Sequence, residues 1–352
     1  MRLAFGTDER GPVSEQTVRL TEWTSCGGCA AKWGASLLSE LVSELVADGG
    51  DASLLLAGLT PSDDAAVVLL SDDLALVSTT DFFPPLVDDP YDFGAIAAAN
   101  ACSDVFAMGG RVILALNVAA FPETLPRSAI AAILSGARDT VAHAGGQVAG
   151  GHTIRSEEPI FGLAVQGTVD PRSVWRKGGA QPGDVLVLSK PLGTGLVLAG
   201  GTDADKAAAT TAMRQLNRGA AEVLACLDIA PHCVTDVTGF GLAGHAWEVA
   251  ERSGAVLAFE AAALPGLPGA HQAAAAGVRT GGDARNREHV GERITFGLPA
   301  ESADQVSALM FDPQTSGGLL ASVDRATAEE LADQGFAIVG EVRAGDPGVV
   351  VE

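Results

Sequence analysis

At 352 residues, with 47% hydrophobic content, the chain is too long for one ordinary core, and two domains are expected. Its 44 acidic residues against 22 basic ones give a formal net charge of −22, a field that repels nucleic acid and anionic membranes. Five cysteines without framework spacing, no hydrophobic signal core and no apolar stretch of membrane-spanning length exclude a disulfide-stapled scaffold and a membrane span, so a reducing, cytoplasmic setting is expected.

Residues 1 to 19 are polar and aperiodic and read as a mobile leader. Leu20 to Trp33, LTEWTSCGGCAAKW, reads as a glycine-rich Cys/Lys segment, a loop unless a helix already begins near Cys29, so residues 1–34 are taken together. From Ala35, the positions Leu37, Leu38, Leu41, Val42 and Leu45 share a helical face that Asp48, Gly49 and Gly50 end. Two β-like runs follow, Ala65–Leu70 and Leu74–Thr80, with SDD turning between them. Tyr91–Met108 reads as a helix, Val112–Val118 as a strand and Arg127–Ala144 as a helix. Gln147–Ala149 and Phe161–Val169 are further strands. Proline and glycine at 181–183 place a boundary near 172–183, giving an N-terminal domain of 35–172 and a C-terminal α+β domain of 183–352. In the second, strands are expected at Val185–Leu188, Cys233–Asp236, Val256–Glu260, Leu319–Val323 and Ala337–Val342. Helices are expected at Ala207–Leu227, Leu242–Glu251 and Arg325–Gln334.

Cys29 stands three residues before Lys32, one of only four lysines in the chain. A cation and a helix start are surroundings that favour a thiolate and also suit phosphate. The plainer reading is a small buried cysteine beside a solvated lysine. Cys26 and Cys29 also form a CxxC, but no second pair or ligand-spaced histidines support zinc, and the preceding segment is polar where a redox motif follows a strand.

Acidic residues are the second signal. Asp63 and Asp64 open an apolar run, Asp81 closes the run Leu74–Thr80, and Asp236 follows the strand Cys233–Thr235. Capping of a turn or helix is the plainer alternative for each, an even one for Asp63, and fits Asp104 less well because that residue interrupts a helix with small and apolar flanks. Hard oxygen ligands of this kind suit Mg²⁺ bridged to a polyphosphate. Gly150 and Gly151 with His152 sit at a strand end and match neither a Walker nor a Rossmann spacing. Cys102, Cys226 and Cys233 read as core.

Taken in order, CAAK at 29–32, SDDAAV at 62–67, STTDFFPPLVDDPYDFGAIAAANACSDVFAMGG at 78–110, AGGHTI at 149–154, PIFGLAVQG at 159–167, TDVTGFGLAGH at 235–245 and DPQTSGGLL at 312–320 resemble the selenophosphate synthetases (selenide, water dikinases). The resemblance runs from about Leu20 to the end of the chain. It implies a two-domain α+β fold of the aminoimidazole ribonucleotide synthetase-like ATP enzymes, with N-terminal halves pairing into a shared β-barrel in a homodimer. It implies Cys29 as the thiol handling selenium and Lys32 at the transferring phosphoryl group. Asp64, Asp104 and Asp236 would bind Mg²⁺. Ser62, Asp63, Asp81 and Asp104 would line ATP, joined across the dimer by Gly150, Gly151 and His152. A monovalent cation is a further candidate cofactor. The implied partners are ATP, selenide and a second copy of the chain, with neither nucleic acid nor membrane. The chain departs from the family at Ala30 and Ala31, where a second cysteine stands in some members, and it carries Cys26 instead.

The chemistry expected is phosphoryl transfer to a soft nucleophile, governed by positioning and charge stabilisation. Two rivals stand beside it. A sibling ATP enzyme of the same fold would release ADP rather than AMP. A thiol or metal module built on Cys26 and Cys29 would turn over no ATP and leaves the aspartates unexplained.

Overall fold

The structure is a computed structural model that describes residues 18–24, 54–59 and 62–352. The Cys29–Lys32 pair and the helix expected from Ala35 lie outside these residues.

The first half builds a six-stranded sheet from β1 (Leu55–Leu59), β2 (Ser62–Ser71), β3 (Leu74–Phe83), β4 (Arg111–Phe121), β5 (Gln147–Arg155) and β6 (Ile160–Val169). The order is β1-β2-β3-β6-β4-β5, antiparallel except where β4 runs parallel to β5. The sheet is open among the described residues, with β1 and β5 at its edges. Two helices, α1 (Pro90–Ala107) and α2 (Arg127–His143), cover one face. Helix α1 begins cleanly because Asp89 caps it, accepting the Asp92 N–H at 2.9 Å, with Pro90 in the first turn. Its run Ala95–Ala99 is buried all round, as a helix sandwiched between a sheet and a second helix requires. At Gly94 the packing leaves no room for a side chain: a Cβ there would lie 1.9 Å from the Ile133 carbonyl oxygen of α2.

The second half forms a seven-stranded mixed sheet in the order β10-β13-β9-β12-β7-β11-β8. Its strands are β7 (Val185–Leu188), β8 (Cys233–Asp236), β9 (Val256–Phe259), β10 (Ile294–Phe296), β11 (Leu319–Val323), β12 (Ala337–Arg343) and β13 (Gly348–Val351). The helices are α3 (Thr194–Gly200), α4 (Asp203–Arg214), α5 (Arg218–Ala225), α6 (Gly241–Ser253), α7 (Ala270–Ala275), α8 (Gly281–Val290), α9 (Ala300–Phe311) and α10 (Arg325–Asp333). Strand β7 is buried on both faces, and the period of two divides its residues between two cores. Val185 and Val187 join the cluster containing α1 and the first sheet, whereas Leu186 and Leu188 join the cluster under α6 and α9. The two halves therefore share packed side chains.

Two expectations are corrected here. The single helix expected over Ala207–Leu227 is two, α4 and α5. The break at 215–217 is held by tertiary contacts: buried Asn217 donates to Ser103 Oγ and to the Gly317 carbonyl, both at 2.8 Å, and Lys190 Nζ donates to the Gln215 carbonyl at 2.6 Å. Cys226, expected in the core, is exposed beyond the end of α5.

Candidate metal and nucleotide site

Three carboxylates converge where the two halves meet. Alternation along β2 puts Asp63 and Asp64 on opposite sides, and the Asp64 side chain is only 3% exposed. Asp104 comes from α1 and accepts the Thr79 hydroxyl of β3 at 2.5 Å. Asp236 ends β8 and is 1% exposed. One carboxylate oxygen from each of Asp64, Asp104 and Asp236 lies within 4.8 Å of the other two. Thr235 of β8 donates its hydroxyl to Asp64 Oδ1 at 3.0 Å, tying the two halves directly.

The electrostatics are those of a site short of positive charge. Burial pushes the Asp64 carboxyl up to about 8; Lys177, 2.8 Å away, pulls against it, while Asp236 and Asp63 add to the push. Asp104 is held well above the usual carboxylate range by burial, then by Asp236, Asp81 and Asp64. Among the described residues, Asp64 Oδ2 and Asp236 Oδ2 are buried acceptors without a hydrogen-bond donor. Orphaned buried oxygens in a cluster of excess negative charge fit a hard divalent cation, whose preferred ligands are carboxylate oxygens.

Other site candidates fall around this centre or away from it. Asp81, on β3, accepts Asn100 Nδ2 at 2.7 Å, and Asn100 Oδ1 accepts the Ser316 N–H at 2.8 Å, so α1 connects Asp81 to the 312–318 loop. Asp63 Oδ1 accepts the Asp64 N–H at 2.9 Å. Ser62 starts β2. Gly150, Gly151 and His152 lie inside β5 rather than at a strand end, because pairing with β4 continues to Arg155. Gly151 has φ 148°, and a Cβ there would sit 2.2 Å from the Asn117 carbonyl, so only glycine fits. Strands β6 and β4 separate β5 from β3, which removes these three residues from the carboxylates of the same chain. Cys29 and Lys32 are outside the described residues, but the segment leading to them is anchored. Leu20 is buried, its N–H bonds the Asp88 carbonyl at 3.3 Å, and Thr24 donates to Glu158 at 3.0 Å.

Sequence reasoning missed several buried polar residues here. Lys177 and Lys190 are each 6% exposed. Burial pulls Lys190 down to about 7, with Asp236 opposing, and its Nζ donates to the Ser316 carbonyl at 2.8 Å. Lys177 remains cationic: burial works against the charge, but Asp64 and Glu248 outweigh it. The scarcity of lysine that marked Lys32 was an available signal for both. Cys102 and Cys233 are inert thiols; burial pushes Cys102 up to about 12 and raises Cys233 as well.

Comparison with known proteins places this arrangement. The family profiles "AIR synthase related protein, N-terminal domain" and "AIR synthase related protein, C-terminal domain" match residues 62–169 and 181–352. A solved structure described as AaThiL complexed with AMPPCP and TMP superposes with a TM-score of 0.66 at 19% identity, covering 90% of this chain and 93% of that one. Fold and profiles thus define a two-domain α+β chain of the AIR synthase related class. A selenide, water dikinase of Paraburkholderia xenovorans is 45% identical, covering 98% of this chain and 99% of its own length. Another, of Caldanaerobacter subterraneus subsp. tengcongensis, is 43% identical with coverages of 90% and 91%. The chain belongs to the selenide, water dikinase family.

Proposed function

We propose that the chain makes selenophosphate from selenide, with ATP as phosphoryl donor and water as second acceptor, releasing AMP and orthophosphate. The observation that carries this reading is the convergence of Asp64, Asp104 and Asp236 at the junction of the two halves. Mg²⁺ held there would neutralise phosphate charge during transfer. The residues themselves do the positioning. Ser62, Asp63 and Asp81 flank the carboxylates along β2 and β3 and line the nucleotide, while Asn100 fixes the Asp81 carboxylate by its 2.7 Å hydrogen bond. Lys32 bears on the transferring phosphoryl group and Cys29 handles selenium. The buried, proton-holding thiols of Cys102 and Cys233 support assigning that role elsewhere.

A homodimer completes the site, with Gly150, Gly151 and His152 supplied by the second copy and the first sheets closing into a shared barrel. The exposed sheet supports this. Leu70, Phe82, Ile113, Leu116 and Ile154 are exposed apolar residues of its strands, and β5 offers an almost wholly exposed edge. No helix among the described residues is long and apolar enough to cross a membrane.

The test is anaerobic phosphorus NMR of the purified protein with ATP, Mg²⁺ and selenide. A selenophosphate resonance growing with AMP is expected. ADP as the only nucleotide product would assign the chain to a sibling activity of the same fold.

A further inference from the structure

Lys177 lies between β6 and β7, outside any helix or strand, yet it is buried. Its Nζ is 2.8 Å from Asp64 Oδ1 and 3.2 Å from Glu248 Oε2 of α6. Glu248 is 3.2 Å from His245 Nδ1, one turn earlier, and 4.0 Å from Arg252. His245 Nε2 accepts the Thr238 backbone N–H at 3.1 Å, which turns Nδ1 toward Glu248, close to it but without a hydrogen bond among the described residues. Thr238 is two residues past Asp236. The contacts thus leave one carboxylate of the cluster, pass through α6 and return beside another.

An ordinary buried ion pair would satisfy both of its charges. This one does not: Asp64 Oδ1 takes both Lys177 and Thr235, while Oδ2, equally buried, has no donor among the described residues. Lys177 also has a second carboxylate, Glu248, to balance it, so its charge does not fall on Asp64 alone. We propose that Lys177, braced by Glu248 and His245, is a positioning residue of the metal site, engaging one oxygen of Asp64 so that the other is presented to a divalent cation. This rests on the metal reading above and extends it to residues that touch neither nucleotide nor selenium. Partners of this kind around metal-bound carboxylates typically change affinity by about 10–100-fold when removed.

The experiment is Mn²⁺ titration of the full chain, without nucleotide or selenide, followed by electron paramagnetic resonance of free Mn²⁺, with circular dichroism reporting the fold. Lys177→Ala should weaken Mn²⁺ binding by about tenfold or more. Ethylammonium should restore much of it, and tetramethylammonium, which cannot donate a hydrogen bond, should not. Unchanged binding in a folded Lys177→Ala protein overturns the inference, as does a loss that ethylammonium leaves in place. Should that variant not fold, Glu248→Gln decides. It keeps the shape but leaves the ammonium drawing on Asp64 alone, so severalfold weaker binding is expected and unchanged binding overturns the inference. Failure of the metal reading itself looks different: the unaltered protein would bind no Mn²⁺, or Asp64→Asn would bind it equally well.

Discussion

Asp104→Asn should make the metal-free protein more heat-stable and, in the same molecule, remove its stabilisation by Mg²⁺. The Asp104 carboxylate lies with those of Asp64 and Asp236 in a set of oxygens within 4.8 Å of one another. At an effective dielectric of about 20, two unit charges that far apart repel by about 3.5 kcal/mol. Burial and these neighbours hold Asp104 well above the usual carboxylate range, so a bound proton relieves part of the repulsion at low pH. A folded-state value raised above the unfolded one gives stability that is complete at low pH and lost as pH rises through the folded value. Asparagine has the same shape and no charge, so the gain of the variant over the unaltered protein should widen with pH. Mg²⁺ acts in the opposite direction. At a hundred times its dissociation constant a single bound ion adds about 2.7 kcal/mol, and a hundredfold loss of affinity cuts that to about 0.4 kcal/mol. For a chain of this size the melting temperature should rise by about 4 °C in one protein and by less than about 1 °C in the other. Scanning calorimetry with and without MgCl₂, at matched ionic strength and several pH values, measures both effects. An equal Mg²⁺-induced rise in the Asn variant would refute the ligand assignment.

Cys29→Ser and Lys32→Ala should each lose most of the selenophosphate turnover seen by phosphorus NMR while keeping the Mg²⁺-induced rise in melting temperature, because neither removes a carboxylate. Full turnover in either would move that step to another residue. Burial pushes the Asp312 carboxyl from its ordinary 3.8 up to about 7, against the N–H of Leu196, Gln314 and the N–H of Gly195. Its contribution to stability is therefore complete below about pH 4 and is lost, by about 4 kcal/mol in all, as pH rises through 7. Urea midpoints of Asp312→Asn should fall less between pH 5 and 8 than those of the unaltered protein, and parallel curves would contradict this.

Much of the fold is legible in local pattern. The boundaries of β7, β8 and β11 agree to the residue, since short apolar runs between turn signals leave little choice. Helix α1 agrees within a residue at each end, because a proline opens it and glycines follow it. Elements dominated by long-range partners read less well. The continuation of β5 past two glycines depends on β4 beside it, and the break between α4 and α5 depends on contacts of Asn217 with Ser103 and Gly317, 114 and 100 residues away, and of Lys190 with Gln215. Strand β13, GVVV near the end of the chain, has the composition of a strand but went unread.

Residue type and position alone singled out a wider set, Asp63, Asp64, Asp81, Asp104 and Asp236, because a carboxylate at a strand end or on an apolar helix demands compensation wherever it is placed; narrowing it to Asp64, Asp104 and Asp236 took the family resemblance. That these three meet, and that Gly150, Gly151 and His152 do not join them within one chain, was decided by strand order and by the packing of α1 against both halves. The brace through Lys177, Glu248 and His245 was likewise invisible in the sequence. Its members stand in a linker and on one helix, and only folding brings a distant ammonium into hydrogen-bonding range of Asp64. Composition sets which charges must find partners; tertiary structure chooses the partners, because electrostatic and hydrogen-bond energies depend on distances that no local pattern encodes.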